Sequence, residues 1–209
     1  MREEAAGASG AAVEEREVKL AVPDDFVLPS LSGLDSLTTL DEGEEVLRSV
    51  YWDTGDLALV RAGVGVRHRN GIWTFKGPSR RDGDAVVREE LEVAAPGDVI
   101  PALVRSRIGP LLDPSTLHPV VTLDNLRHRL DVRDGAGSAE LVHDRVAVLD
   151  GARVVARFTE VEVEFSPAGQ AIADSLVHLL LAHGAVVDPT PKYARALRAL
   201  GLDPPHPSA

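Results

Sequence analysis

Two short stretches of the sequence carry charged residues at every second position, a spacing that places them on one face of a β-strand. The first stretch contains Glu15, Glu17 and Lys19, and the second contains Glu160, Glu162 and Glu164. The intervening positions are largely apolar and predict a packing face. Because like charges along one strand face repel each other unless a cation lies among them, these rows indicate either a face open to water and salt or a metal-binding face.

A matching set of cations occurs on other predicted strands, mostly in pairs that also share a strand face. The basic set is Lys19, Arg67, Arg69, Lys76, Arg88, Arg127 and Arg129. Glu90 and Glu92 join the acidic set, although they are equally well explained as partners of neighbouring arginines. If the sheet closes with these faces inward, its interior must be wet or hold an ionic ligand, since unpaired charges are too costly for a dry core.

Such a lining suits polyphosphate chemistry. Arginine and lysine side chains hold phosphoryl oxygens, and carboxylates hold divalent cations that bridge to those oxygens. The sequence has no glycine-rich phosphate loop, so side chains would have to hold the anion. The inward faces of a carrier for apolar ligands would be apolar, which disfavours that class of protein.

The composition excludes several other classes. The chain of 209 residues has no cysteine, which rules out disulfides and thiolate metal sites and favours Mg²⁺ or Mn²⁺ on carboxylates. A net charge of −11 argues against nucleic acid as a partner. No apolar run reaches membrane-spanning length and the start does not resemble a secretion signal, so we expect a soluble cytoplasmic protein with no membrane partner.

The hydrophobic periodicity predicts a mainly β (α+β) protein with about eight strands joined largely by hairpins. Strands are predicted at residues 13–22, 44–52, 63–69, 72–76, 85–93, 119–132, 139–149 and 153–165. Helices or helical turns are predicted at residues 29–37, 57–60, 101–112, 167–183 and 192–200, and a charged turn at 80–84. That many meandering strands usually close into a barrel. We expect one domain over residues 13–200, with flexible tails at 1–12 and 203–209.

Taken together, these segments resemble the CYTH family, also called the triphosphate tunnel metalloenzymes. The family's opening Glu-x-Glu-x-Lys signature resembles Glu15, Glu17 and Lys19. Similar to its other segments are Tyr51 to Leu59, Arg67-His68-Arg69, Trp73 to Gly77, Arg88 to Glu92, Asp144, the row from Glu160 to Glu164, and Lys192-Tyr193. Leu126 replaces one member of a basic pair that the family has beside Arg127. The resemblance runs over nearly the whole sequence.

The resemblance implies an eight-stranded antiparallel β-barrel, the triphosphate tunnel, with peripheral helices. It implies Mg²⁺- or Mn²⁺-dependent attack of water on a triphosphate, with either a tunnel carboxylate or the metal activating the water. Implied metal ligands are Glu15, Glu17, Glu160, Glu162, Glu164 and Asp144. Implied phosphate contacts are Lys19, Arg67, Arg69, Lys76, Arg88, Arg127, Lys192 and Arg129, the last facing inward or lying at the rim. Glu17, Glu162 and Lys19 are the implied catalytic residues.

Several functions are compatible with this resemblance. Hydrolysis of inorganic triphosphate by a monomer or homodimer is the favoured expectation. The alternatives are a non-catalytic module that binds polyphosphate or nucleotides, a thiamine triphosphatase, and a class IV-type adenylate cyclase, although no adenine pocket is evident in a sequence with so few aromatic residues. We expect no second helical domain of the kind that accompanies some bacterial members, because the sequence ends soon after Lys192.

Overall fold

The computed structural model describes residues 10–34 and 37–202. Residues 1–9 and 203–209, which make up most of the two predicted tails, lie outside the described residues. Ala12, predicted to belong to the first tail, is the first residue of a strand.

Ten strands and four α-helices form the described part of the chain. The strands are β1 (Ala12–Val22), β2 (Thr38–Asp53), β3 (Gly65–Arg69), β4 (Ile72–Lys76), β5 (Arg80–Asp82), β6 (Ala85–Ala94), β7 (His118–Arg133), β8 (Ser138–Asp150), β9 (Arg153–Phe165) and β10 (Val186–Val187). The helices are α1 (Ala58–Arg61), α2 (Ala102–Ile108), α3 (Gln170–Ala182) and α4 (Lys192–Ala199). Short 3₁₀ turns lie at Leu31–Gly33, Pro114–Thr116 and Pro167–Gly169.

Eight of the strands close into an antiparallel barrel. Their order around the barrel is β1, β9, β8, β7, β2, β3, β4 and β6, and β6 pairs back with β1. Residues 12–17 of β1 pair with β6, whereas residues 17–22 pair with β9, so this strand makes the closure. The short strands β5 and β10 pair with β6 and β1 respectively. The predicted eight-stranded barrel is therefore confirmed.

The apolar residues of the strands lie mainly on the outer surface of the barrel. Leu20, Val161 and Val163 pack beneath α3, whose Ile172 and Leu176 are also buried. A second outer cluster lies beneath α2 and includes Trp73, Phe75 and Val93. Because burying a Leu or Val side chain contributes about 1.5–3 kcal/mol, these helix-covered clusters provide the hydrophobic stabilisation that the charged interior cannot.

Helix α4 closes one end of the barrel. Its Tyr193, Ala196 and Leu197 pack against inward-facing residues such as Leu123 and Val148 in a third apolar cluster. These strand residues share the face that carries the charged side chains further along β7 and β8. The interior is thus apolar where α4 covers it and charged beyond it.

Three elements differ from the sequence-based expectation. β2 begins at Thr38 rather than residue 44, because it pairs with β7 along an exposed stretch that has no hydrophobic alternation to reveal it. The predicted charged turn at residues 80–84 contains β5, which pairs with β6 through a turn at Gly83 (φ +61°). α2 ends at Ile108 rather than at 112, because Pro110 has no amide hydrogen with which to continue the hydrogen bonding of the helix. No helix among the described residues is long and apolar enough to cross a membrane.

The backbone that follows β9 packs closely against the start of β8 at two glycines. A Cβ at Gly169 would overlap the carbonyl oxygen of Ser138, and a Cβ at Gly137 would overlap that of Ala168. This contact fixes the connection between β9 and α3, next to strands that carry most of the acidic residues of the interior.

Gly169→Ala should therefore lower the free energy of unfolding by about 2 kcal/mol and Tm by about 4–8 °C, because a backbone oxygen cannot move aside. Gly135→Ala is the matched control, since a Cβ there meets no atom within 4 Å. Thermal melts of both variants make the comparison. Equal Tm values for the two variants would contradict the proposed close packing.

Candidate active site

The barrel encloses a cavity of about 930 Å³ whose wall is strongly charged. Eleven of the predicted site residues line it: Glu15, Lys19, Arg67, Arg69, Lys76, Arg88, Arg127, Arg129, Glu162, Glu164 and Lys192. The other three, Glu17, Glu160 and Asp144, are almost completely buried beside the wall. The structure thus places all the predicted site residues in or next to one cavity.

Cross-strand register explains how charges of both signs are brought together. Lys19 lies directly opposite Glu162, and Arg127 lies opposite Asp144. Glu15 lies opposite Arg88, and Lys76 opposite Glu90, on the other side of the barrel. Directly opposed charges of opposite sign stabilise a sheet, so these four pairs favour the observed register.

Some cross-strand pairs break this pattern because both partners are acidic, and in two of them both partners are predicted metal ligands. Glu17 lies opposite Glu164, and Asp144 lies opposite Glu160. Opposed like charges destabilise a sheet, so each pair needs cations from elsewhere.

The first acidic pair belongs to a group that we call the first carboxylate cluster, formed by Glu15, Glu17 and Glu164, with one oxygen of each within 4.8 Å of the others. Arg88 contacts Glu17 and lies 2.6 Å from Glu15 through Nε. Lys76 lies 3.1 Å from Glu15. These cations help to hold the pKa of Glu15 well below its usual value despite burial, which acts in the opposite direction.

The second acidic pair belongs to the second carboxylate cluster, formed by Asp144, Glu160 and Glu162 on β8 and β9, which meets the same distance condition. Arg127 makes two parallel hydrogen bonds to Asp144, at 2.9 and 2.7 Å. Lys192, at the start of α4, forms an ion pair with Asp144 and lies 3.0 Å from Glu160. Burial raises the pKa of Asp144, but Lys192 and Arg127 outweigh that effect and hold it at about 2.

Lys19 connects the two clusters. Its ammonium lies 2.7 Å from Glu17 and forms an ion pair with Glu162. Burial alone would lower the pKa of Lys19, but Glu162 and Glu17 outweigh burial and hold it well above 10.5. Lys19 is therefore a permanently charged centre between the two groups of carboxylates.

The cations further along the cavity are less fully paired. Arg67 donates to Thr74 at 3.0 Å and lies 3.5 Å from Glu92. Arg129 is partly exposed and lies 3.8 Å from Glu140, a position at the rim. Glu90 lies 2.8 Å from Lys76, so its ion-pair partner is a lysine and not one of the neighbouring arginines.

The side chain of Arg69 makes no ion pair or hydrogen bond within residues 10–34 and 37–202. Burial, Arg67 and Arg127 together lower the pKa of Arg69 to about 10, so its charge lies in an unfavourable environment. An anion bound in the cavity would relieve this repulsion.

Arg195 is one of the charged residues at the site that were not predicted from the sequence. Arg195 lies 3.6 Å from Glu160 and forms an ion pair with Asp188. Its spacing of three from Lys192 places both on neighbouring positions of α4, and this was the signal that could have identified it.

The two carboxylate clusters fit a hard divalent cation. Within the described residues, they are the groups in which three acidic side chains bring oxygens within 4.8 Å of one another. Both present only carboxylate oxygens, the donors that Mg²⁺ and Mn²⁺ prefer. Each also contains a pair of opposed acidic residues that a bound cation would neutralise.

The environment of the first carboxylate cluster changes the pKa of Glu164. Burial, followed by Glu162 and Glu17, raises its pKa from 4.5 to about 8. Between these values the folded protein retains a proton that the unfolded chain has lost, so this group makes stability fall as pH rises from 4.5 to about 8.

Glu164→Gln should remove this loss of stability at higher pH. In EDTA, the difference in free energy of unfolding between the variant and the wild type should increase in favour of the variant by more than about 1 kcal/mol from about pH 5 to pH 8.5, since one pKa unit corresponds to about 1.4 kcal/mol. Chemical denaturation at the two pH values measures the difference. Glu42→Gln, on an exposed part of β2, is the control and should follow the wild type. Parallel pH profiles for Glu164→Gln and the wild type would show that Glu164 is ionised at little cost.

Comparison with known proteins agrees with this geometry. The family model of the CYTH domain matches residues 14–183. A search of curated proteins found no match.

Among solved structures, a Hippeastrum protein, described as an adenylyl cyclase candidate with a dominant triphosphatase activity, is 18% identical over 90% of this chain and 96% of its own, with a TM-score of 0.56. A Bacillus halodurans protein, described as a candidate adenylate cyclase, is 18% identical over 88% of this chain and 97% of its own (TM-score 0.55). The PH1819 protein of Pyrococcus horikoshii is 18% identical over 88% and 98% (TM-score 0.51). These structures share the fold, and the family match over residues 14–183 shows that the chain belongs to the CYTH domain family.

Proposed function

We propose that this protein hydrolyses a triphosphate, most readily inorganic triphosphate, in the charged cavity of its barrel with the help of Mg²⁺ or Mn²⁺. The observation that carries the proposal is Arg69, a cation that lines the cavity beside Arg67 and Arg127 and forms no ion pair with an acidic residue in the part of the chain that the structure describes. A polyanion with several phosphoryl oxygens is the ligand that such a group of guanidinium groups would bind.

The carboxylate clusters favour hydrolysis over simple anion binding. A cavity that only bound phosphate would have little use for six acidic side chains, because they repel the ligand. With a metal on either cluster the same residues would serve as its ligands, and a divalent cation offsets the charge that develops during phosphoryl transfer. Glu15, Glu17 and Glu164 would hold it at the first cluster, and Asp144, Glu160 and Glu162 at the second.

The chain's own residues have distinct roles in this proposal. Lys19, fixed between Glu17 and Glu162, holds a positive charge at the junction of the two clusters. Lys76, Arg88, Arg127 and Lys192, each paired with a carboxylate in the structure, contact the substrate phosphates together with Arg67, Arg69 and Arg129. Burial of the site limits water near the phosphoryl groups and strengthens these electrostatic contacts.

The similarity to known structures supports the same reaction. The Hippeastrum protein, whose triphosphatase activity is described as dominant, shares the fold over 90% of this chain. The cyclase reading is less favoured here, because a cyclase needs a nucleoside pocket in addition to phosphate contacts. We also propose a single domain over residues 13–200, a monomer or homodimer, a cytoplasmic location, and no nucleic-acid or membrane partner, consistent with the net charge of −11.

The test is a panel of inorganic triphosphate, ATP and thiamine triphosphate, each incubated with Mg²⁺, Mn²⁺ or EDTA. We expect metal-dependent release of phosphate, fastest from inorganic triphosphate, and none from Glu17→Gln or Glu162→Gln. Release of pyrophosphate and a cyclic nucleotide from ATP would favour the cyclase. Binding of triphosphate without cleavage under any condition would leave only the non-catalytic module.

Arg69→Ala should weaken substrate binding without destabilising the protein. Loss of a charge-assisted hydrogen bond of about 1.5–3 kcal/mol predicts a rise in KM of about tenfold to a hundredfold. Because Arg69 has no ion pair to lose among the described residues and is repelled by Arg67 and Arg127, Tm should stay equal or rise. Steady-state kinetics and thermal melts measure both quantities.

The control for this variant is Arg153→Ala, which removes an exposed arginine at the hairpin between β8 and β9. It should leave KM unchanged. An unchanged KM for Arg69→Ala as well would remove Arg69 from the substrate contacts and weaken the central argument for an anionic ligand.

A further inference from the structure

A buried carboxylate connects the wall of the barrel to the helix that closes it. Asp53, the last residue of β2, is fully buried. It accepts hydrogen bonds from the amides of Thr54 (2.7 Å), Leu59 (2.8 Å) and Val60 (3.0 Å). It also accepts one from the hydroxyl of Tyr193, at 2.9 Å. The first three bonds shape the turn from β2 into α1, whereas the fourth reaches across to α4.

Two residues of β2 hold Tyr193. Its ring stacks on Tyr51, with centroids 4.8 Å apart and planes inclined by 3°, and its hydroxyl contacts Asp53. Burial, together with Asp53, raises the pKa of Tyr193, so its hydroxyl remains a donor. The second residue of α4 is therefore fixed in both position and orientation.

The start of α4 has no comparable support from its own sequence. Pro191 precedes the helix, and no side chain caps it. With eight residues, α4 is also too short to be stable alone. Contacts with the barrel must determine where its first residue, Lys192, lies. The ion pair between Arg195 and Asp188 anchors another side of the helix, so losing one contact should shift α4 rather than unfold it.

We propose that Asp53 is a positioning residue that, through Tyr193, holds the ammonium group of Lys192 among the acidic side chains of the second carboxylate cluster. Lys192 contacts Asp144, lies 3.0 Å from Glu160 and lies 3.8 Å from Glu162. A flexible lysine reaches all three carboxylates only from a restricted backbone position. The hydrogen bond between Tyr193 and Asp53 fixes Tyr193, and this restricts the backbone of Lys192, the residue next to it.

Lysine labelling tests the inference without reference to activity. The sequence contains three lysines, and the other two, Lys19 and Lys76, lie on β1 and β4 and serve as internal controls. In the folded wild type, a short pulse of acetic anhydride followed by mass spectrometry should modify Lys192 slowly. Tyr193→Phe keeps the stacked ring and removes only the hydroxyl. It should raise the rate at Lys192 about tenfold, the equivalent of about 1.4 kcal/mol, and leave Lys19 and Lys76 unchanged.

Two further variants make the result specific. Asp53→Asn should produce the same selective labelling, with a larger loss of Tm because three backbone amides also depend on Asp53. Leu176 of α3 is buried on the outer surface of the barrel. Leu176→Val is therefore a destabilised control, and it should not raise the acetylation rate of Lys192 above that of the other lysines. A uniform rise at all three lysines in Tyr193→Phe, or no rise at Lys192, would overturn the inference.

A kinetic experiment extends the test and rests on the proposed function. Tyr193→Phe should raise KM for inorganic triphosphate about tenfold, and it should add no further loss in a Lys192→Ala background, because one acts through the other. Additive losses would contradict the positioning role. If the wild type hydrolyses no triphosphate, the proposed function fails while the labelling result still decides the role of Asp53.

Discussion

The mutual neutralisation of charges held away from water is the interaction on which this structure depends. Lys19 is almost completely buried and forms ion pairs with Glu17 and Glu162. Arg127 and Lys192 both form ion pairs with Asp144. Removing one partner of a buried ion pair leaves an uncompensated charge, which typically costs about 3–5 kcal/mol. The acidic and basic rows are therefore interdependent, and each constrains the strand register that brings it opposite the other.

This constraint also explains why the barrel has its apolar side outside. Because most of the interior is charged, most of the hydrophobic core forms between the strands and the covering helices α2 and α3. Leu20 and Val163 beneath α3, and Trp73 and Val93 beneath α2, show this arrangement on two sides of the barrel. The helices α2 and α3 thus cover the two outer clusters, whereas α4 covers the apolar part of the interior and also completes the site.

Much of the fold and of the site was predictable because it rests on period-two patterns. The rows at Glu15 to Lys19 and at Glu160 to Glu164 have that period, and both proved to face the interior. The exposed first part of β2 was missed, because a strand that pairs without burying a face has no hydrophobic alternation.

The division of the carboxylates between the two clusters could not be predicted from the sequence either. It depends on the stagger of β1, which brings Glu164 opposite Glu17. The link from Asp53 to Tyr193 joins residues 140 positions apart and leaves no local signal. That Arg69 forms no ion pair within the described residues likewise depends on which side chains the closed barrel places near it, and spacing along one strand does not show this.

The most direct test of the account is crystallographic. Crystals grown with Mn²⁺ and a non-hydrolysable triphosphate analogue would locate the metal by anomalous scattering. We expect a peak at one or both carboxylate clusters, about 2.0–2.2 Å from carboxylate oxygens, with the analogue's phosphates contacting Arg69. A cavity that excludes both ions, or Mn²⁺ bound only on the outer surface, would contradict the claim that these paired charges form a metal and triphosphate site.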